Sequence, residues 1–274
     1  MSDLQLSAIF IYPVKSLRGI AVKQWPVDQN GLRFDRHWML IDNDNQFMSQ
    51  RRLPRMALIQ TALSDFELVL SAPGMADLHL GLLEHTGEQV YAQVWHDRCL
   101  TYVVSAQADH WLSEFLGVPC RLVLQPEHSI RPVDPDYAHA EDQTSLSDGF
   151  PFLLISESSL AALNAQLPAP VDMRRFRPNL VVSGCEAYAE DSWREISIGQ
   201  ISFRLPKPCS RCAVPNIHPD TALSDKEPLK TLSRHRQWQN KVYFGQNVLH
   251  NATGVLQEQM TVTVLRAGIN QPPL

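Results

Sequence analysis

The stretch EISIGQISFRLPKPCSRC, residues 195–212, sets both the fold class and the chemistry to look for. Residues 195–199 and 201–205 read as two short strands. Gly199-Gln200 joins them in a tight hairpin, where glycine accommodates a positive φ. Pro206-Lys207-Pro208 then stiffens the chain, so Cys209-Ser210-Arg211-Cys212 is expected on a constrained turn just after a strand, where backbone amides can converge.

The same reading extends outward. The first 104 residues are short strands (6–12, 37–42, 67–71, 88–95 and 99–103) separated by Gly, Pro, Asn and Asp, a pattern of barrels and sandwiches. From Ser105 the period changes: Ala108, Trp111, Leu112, Phe115 and Leu116 share one helical face, with Ser105 as cap and Gly117 as stop. Residues 125–143 are rich in Pro and Asp without apolar periodicity, which predicts an interdomain linker or a long active-site loop. The domain boundary is therefore set near 125, giving units 1–124 and 125–274. A helix over 156–167 has Leu160, Leu163 and Leu167 inside, a strand follows at 180–183, Ser224-Asp225-Lys226-Glu227 reads as a capping box, and 259–266 alternates as a final strand. The fold class is mainly β with a few helices (α+β).

A chain of 274 residues with 44% hydrophobic content can bury sizeable cores. Its net charge of −5 excludes a global field drawing it to nucleic acid or anionic lipid, so an anionic ligand must be held by local basic residues. The opening MSDLQL carries no export signal and no stretch reaches membrane-spanning length, which predicts a cytoplasmic protein with no membrane contact. Five cysteines, an odd number, fit a reducing compartment. Cys99, Cys120 and Cys185 are expected to be small buried or strand-end residues.

That leaves Cys209 and Cys212. Lys207 and Arg211 supply positive charge that should make one of these thiols more easily ionised than usual. A lone C-x-x-C is also half a zinc site, for which His218 brings the local count only to three. A dithiol redox pair expects the motif at the start of a helix, whereas 213–217 reads as extended. On spacing alone, the zinc, dithiol and inert readings all stay open.

Context spread along the chain changes the weighing: Tyr12-Pro13-Val14-Lys15-Ser16, then Gly31-Leu32-Arg33-Phe34-Asp35-Arg36-His37-Trp38, Ser156-Glu157-Ser158-Ser159-Leu160, Phe176-Arg177-Pro178-Asn179, Ala189-Glu190-Asp191-Ser192-Trp193, the cysteine motif, Pro219-Asp220-Thr221, Lys226-Glu227-Pro228-Leu229 and Phe244-Gly245-Gln246. In these pieces and their order the sequence resembles the MOSC superfamily with its N-terminal β-barrel domain, and is similar to the amidoxime-reducing components and their bacterial counterparts. The resemblance implies a molybdenum cofactor (molybdopterin) held between the domains, with Cys212 as metal ligand and Cys209 shaping the turn. It implies cofactor contacts from Lys15, Ser16 and Arg36 in the N-terminal domain and from Arg177 and Asn179 in the C-terminal one. Asp148 and Gly149 match a loop that approaches the metal, where Asp148 either relays protons or bonds within its loop. Ser210 and Arg211 are expected to add backbone or side-chain contacts. Asn247 stands where animal relatives carry tyrosine, so no contact is carried over to it.

The implied activity is two-electron reduction of small N-hydroxylated compounds: amidoximes, hydroxylamines and N-hydroxylated nucleobases. Some bacterial relatives carry a ferredoxin domain with a C-x₄-C-x₂-C…C arrangement. This chain has no cysteine beyond Cys212, which predicts an external reductase or electron-transfer protein as partner. Two rivals stand beside this reading: a non-enzymatic carrier of cofactor or sulfur on Cys212, and a structural β-rich module with zinc or no metal.

Overall fold

A computed structural model of the chain describes residues 3–273. Its fold is mainly β, as expected, with three α-helices among the described residues. The largest sheet runs in the order Val262–Ala267, Trp193–Ile198, Ile201–Ser210, Lys241–His250, Phe152–Ser156, Leu180–Ser183, Gln5–Ile11, Ile20–Val22. All its neighbours are antiparallel except Phe152–Ser156 with Leu180–Ser183, and the helix α2 (Glu157–Asn164) makes that parallel crossover. A four-stranded sheet orders Trp38–Ile41, Arg121–Leu124, Asp97–Val103 and Gln89–Val94.

Two main cores follow from the patterning. In the strand Glu67–Ser71, Leu68 and Leu70 point inward and their neighbours do not. They meet the apolar face of α1 (Ala106–Leu116), formed by Ala108, Trp111, Leu112, Phe115 and Leu116. Ser105 caps this helix by accepting from the Ala108 amide, and Gly117 ends it at φ 72°. The second core gathers Leu6, Ile9, Ile11, Phe152, Phe203 and Val248 between strands of the large sheet. Each such fully buried aliphatic or aromatic side chain contributes about 1.5–3 kcal/mol.

The two cores do not divide the chain at a single point. Gln5–Ile11 pairs with Leu180–Ser183, and Gln24–Asp28 pairs with Gly254–Gln257, so N-terminal strands complete C-terminal sheets. Residues 125–151 form a long irregular connection that is anchored. Arg131, 4% exposed, donates to the Ser145 and Ser147 carbonyls and pairs with Asp97, while Asp142 accepts from Arg204.

Several expectations need correction. The strand from Ile201 does not stop at 205 but runs to Ser210, because Lys207, Pro208 and Ser210 pair with Asn247, Gln246 and Tyr243 across irregular register shifts. Residues 214–216 form a 3-10 turn, where an extended segment was expected. The helix expected over 156–167 ends at Asn164, with Ser156 as its cap. Ser224 opens no helix, since its segment bridges Ile217. Helix α3 is Leu229–His235, and the Glu227 carboxylate accepts from the Thr231 amide in its first turn. The last strand begins at Val262 because Gln259 adopts φ 70° and turns the chain.

Candidate functional site

Loops from both halves of the chain enclose a cavity of about 280 Å³. Every residue named as a site candidate lines it. Lys15, Ser16 and Arg36 come from the first forty residues, Asp148 and Gly149 from the anchored connection, Arg177 and Asn179 from the segment entering Leu180–Ser183, and Ser210, Arg211 and Cys212 from the end of the long strand. Three of them hold left-handed backbone without being glycine: Ser16 at φ 67°, Arg36 at 49° and Arg177 at 57°. Such residues cost about 1–3 kcal/mol each and persist where surrounding contacts fix them.

Those contacts centre on Tyr12. Its amide donates to Asp35, its hydroxyl donates to the Pro178 carbonyl at 3.0 Å, and the guanidinium carbons of Arg36 and Arg177 each lie 4.2 Å from its ring centroid. Arg36 also donates to Asp35 at 2.5 Å and to the Asn179 side-chain oxygen at 3.0 Å. The Asn179 amide nitrogen reaches the Phe10 carbonyl, stitching the N-terminal strand to the C-terminal sheet. Burial pushes the Tyr12 hydroxyl up to about 12 against the pull of Arg177 and Arg36, so it stays neutral. Burial pulls Arg177 down to about 10, still charged at neutral pH. Its Nη1 donates to the Leu17 carbonyl, but its buried Nη2 has no protein partner.

Elsewhere in the lining Lys15, 4% exposed, pairs with Asp148 at 2.6 Å. Burial lowers the Lys15 ammonium to about 8, opposed by Asp148. Burial pushes the Asp148 carboxyl up, but Lys15, the Trp95 indole that donates to it and Arg51 outweigh this and hold it well below the usual carboxylate range. The proton of this pair resides on Lys15 at neutral pH.

At the cysteine motif, Cys209 and Ser210 sit in the strand and Cys212 lies two residues past its end. The expected easy ionisation does not hold for Cys209. Burial raises its thiol, against the Arg211 guanidinium that donates to the sulfur at 3.1 Å. Arg211 also donates to the Phe176 carbonyl, and its buried Nε lacks a partner. His218 is engaged locally, accepting from the Asp220 amide, and among the described residues no three Cys, His, Asp or Glu side chains form a metal cluster. Asn247 lines the cavity with its amide nitrogen donating to the Pro208 carbonyl.

The lining carries six cations, Lys15, Arg36, Arg51, Arg177, Lys207 and Arg211, against one carboxylate, Asp148, in a chain of net charge −5. Concentrated positive charge, unpartnered buried donor atoms on two half-buried arginines and an accessible thiol fit a ligand that combines a phosphate, a hydrogen-bonding heterocycle and a soft metal. The sequence reading missed Arg51 and Phe47, which line the cavity, and Trp95, which packs against both. None belongs to the pieces that carried the resemblance, and nothing in their local pattern marks them. Tyr12 and Asp35 stood within those pieces, but their structural role was not readable from spacing.

Among the described residues no helix is long and apolar enough to cross a membrane. Residues 3–119 match the family model for the MOSC N-terminal beta barrel domain, and residues 141–268 that for the MOSC domain. Mitochondrial amidoxime-reducing component 1 of Homo sapiens is 37% identical over 273 residues, covering 94% of this chain and 80% of that protein. Molybdenum cofactor sulfurase of Oryza sativa subsp. japonica is 35% identical over 267 residues, covering 89% of this chain, and the chain spans only 32% of that sulfurase.

Proposed function

The chain belongs to the MOSC family, with its N-terminal β-barrel domain followed by a MOSC domain, and from that premise we propose that it is a molybdenum-cofactor-dependent reductase of small N-hydroxylated compounds. The observation that carries this reading is the convergence of Cys212, two arginines with orphaned donors and the Lys15–Asp148 pair on one cavity. In this reading Cys212 ligates the metal. Arg36, Arg177 and Arg211 hold the phosphate and pterin, with Ser16, Gly149, Asn179 and Ser210 completing the wall. The cofactor supplies a two-electron redox centre able to accept oxygen from an N–OH group.

The overall change is N–OH plus two electrons and two protons giving N–H and water. Asp148, held ionised by its ion pair with Lys15, fits an anchoring role at neutral pH better than that of the acid. It anchors Lys15, whose lowered ammonium is poised to release a proton to the departing oxygen. The electrons come from an external reductase or electron-transfer protein. The match to molybdenum cofactor sulfurases supports a second reading, in which the same cavity carries cofactor or sulfur on Cys212 without turnover.

The test is metal analysis with pterin fluorescence on protein made in a cofactor-synthesising host, comparing wild type with Cys212→Ala. Assays of N-hydroxylated substrates with an artificial electron donor follow. About one molybdenum per chain, lost in the variant, with turnover in the wild type, is the expected result. Molybdenum without turnover, or labile sulfur on Cys212, moves the carrier reading to first place.

A further inference from the structure

Trp95 occupies a costly position. Gln89–Val94 and Asp97–Val103 pair so that Val94 faces Asp97, leaving Trp95-His96 as a two-residue hairpin loop. Trp95 adopts φ 58°, at a turn position that glycine fills without strain. A bulky ring held there against its backbone preference points to a use for the ring. Its surroundings show what it holds. The Arg51 guanidinium carbon lies 4.4 Å from the Trp95 ring, Phe47 packs at 5.1 Å between centroids, and the indole N–H donates to Asp148 at 3.3 Å. The Gln93 side chain donates to the Trp95 carbonyl at 2.6 Å, and the Phe47 amide donates to the Gln93 carbonyl, so the loop bearing Phe47 and the hairpin tip are fixed to each other.

Phe47 and Arg51 line the cavity, and Trp95, 44% exposed, packs against both without lining it. The geometry points to Arg51 and Phe47 as the substrate platform of this site, selective for planar, conjugated N–OH compounds, with Trp95 as the positioning residue that holds Arg51 in place. The inference rests on the reductase reading. A guanidinium plane and a phenyl ring offer extended faces to a conjugated ligand, and a saturated ligand gains little from them. The indole N–H also reaches Asp148, but that carboxylate is held chiefly by Lys15 at 2.6 Å, so removing the ring leaves the Lys15–Asp148 pair in place.

The experiment uses the holoenzyme as wild type, Trp95→Gly and Trp95→Phe, with benzamidoxime as the probe bearing an aryl face and acetamidoxime, whose amidoxime carries only a methyl group, as the probe without one. Glycine relieves the turn, so Trp95→Gly removes the ring without harming the backbone, and its urea midpoint checks this. The expected result for Trp95→Gly is a KM for benzamidoxime raised about tenfold, the size of a desolvated cation–π contact. Its kcat, its KM for acetamidoxime and its molybdenum content should stay at wild-type levels, with Trp95→Phe in between. Equal effects on both probes, or loss of molybdenum, would overturn the platform and make Arg51 a cofactor contact. If the wild type reduces neither probe, the reductase reading fails. Calorimetric titration of benzamidoxime into the same proteins then decides the platform: about tenfold weaker binding in Trp95→Gly supports it, and equal or no binding overturns it.

Discussion

Replacing Gly245 by alanine tests how the large sheet sets the cavity. Gly245 adopts φ 79° within Lys241–His250, and a Cβ built on it would sit 2.6 Å from Ile155 Cγ1 and 2.8 Å from the Leu154 carbonyl oxygen. The second atom is backbone of the paired strand and cannot rotate away. The left-handed conformation costs alanine about 1–2 kcal/mol. Forcing the strands apart adds about 1–3 kcal/mol, and the reduced freedom of the unfolded chain returns about 0.4–1 kcal/mol. The net expectation is a loss of about 2–4 kcal/mol. Gly117→Ala is the control: its φ is 72°, but a Cβ there meets nothing within 4 Å, so only the conformational part remains, about 1 kcal/mol net. Urea unfolding of both variants separates the steric part from the backbone part. The strand pair also sets Leu153 opposite Asn247, and both line the cavity, so Gly245→Ala should weaken cofactor retention where Gly117→Ala does not. Equal destabilisation by the two substitutions would refute the clash argument.

Further expectations are more compact. If Lys15 is the proton donor, molybdenum-normalised kcat is level below pH 8 and falls as pH rises through about 8, where the ammonium loses its proton; Lys15→Met should remove that alkaline limb and lower the rate about 10²–10⁴-fold. A pH–rate profile of both proteins decides this, and an unchanged limb in the variant assigns it elsewhere. Tyr12→Phe leaves the buried Pro178 carbonyl without its donor and should cost about 1–3 kcal/mol in denaturant unfolding, a loss that vanishes if solvent reaches that carbonyl. Cys209→Ser should retain molybdenum where Cys212→Ala loses it, since Cys209 serves as acceptor for Arg211; loss in both by metal analysis would mean the two sulfurs act together.

What was legible in the sequence was local. Ser105 and Gly117 bound α1 because capping chemistry acts within one turn, and Gly199 closes its hairpin because φ 58° there suits glycine. The extension of the long strand to Ser210 was not legible, since its pairing partner lies more than thirty residues on and the register slips twice. Nor was the raised Cys209 thiol. Lys207 and Arg211 are adjacent in sequence, but the desolvation that outweighs Arg211 comes from the surrounding fold. The capping box at Ser224 failed because its segment is claimed by Ile217 and Asn216. The site candidates were found through an ordered set of motifs, which placed ten residues on one cavity. The Phe47 and Arg51 wall, with Trp95 packed against it, lies in segments that no local rule singles out.

The pairing of the first strand has a consequence for biogenesis. Gln5 meets Ser183 and Trp25 meets Leu256, so these two strands must wait for residues far along the chain before their edges are satisfied. At about 5–20 residues per second, that interval is on the order of ten seconds to a minute of synthesis. During it, the Leu6, Ile9 and Ile11 face is an open, apolar strand edge in need of shielding. The cavity, lined by residues from Lys15 to Asn247, cannot close until the strand Lys241–His250 has been made. A ligand that needs all of these walls, such as the proposed cofactor, should therefore be retained only once that strand has paired.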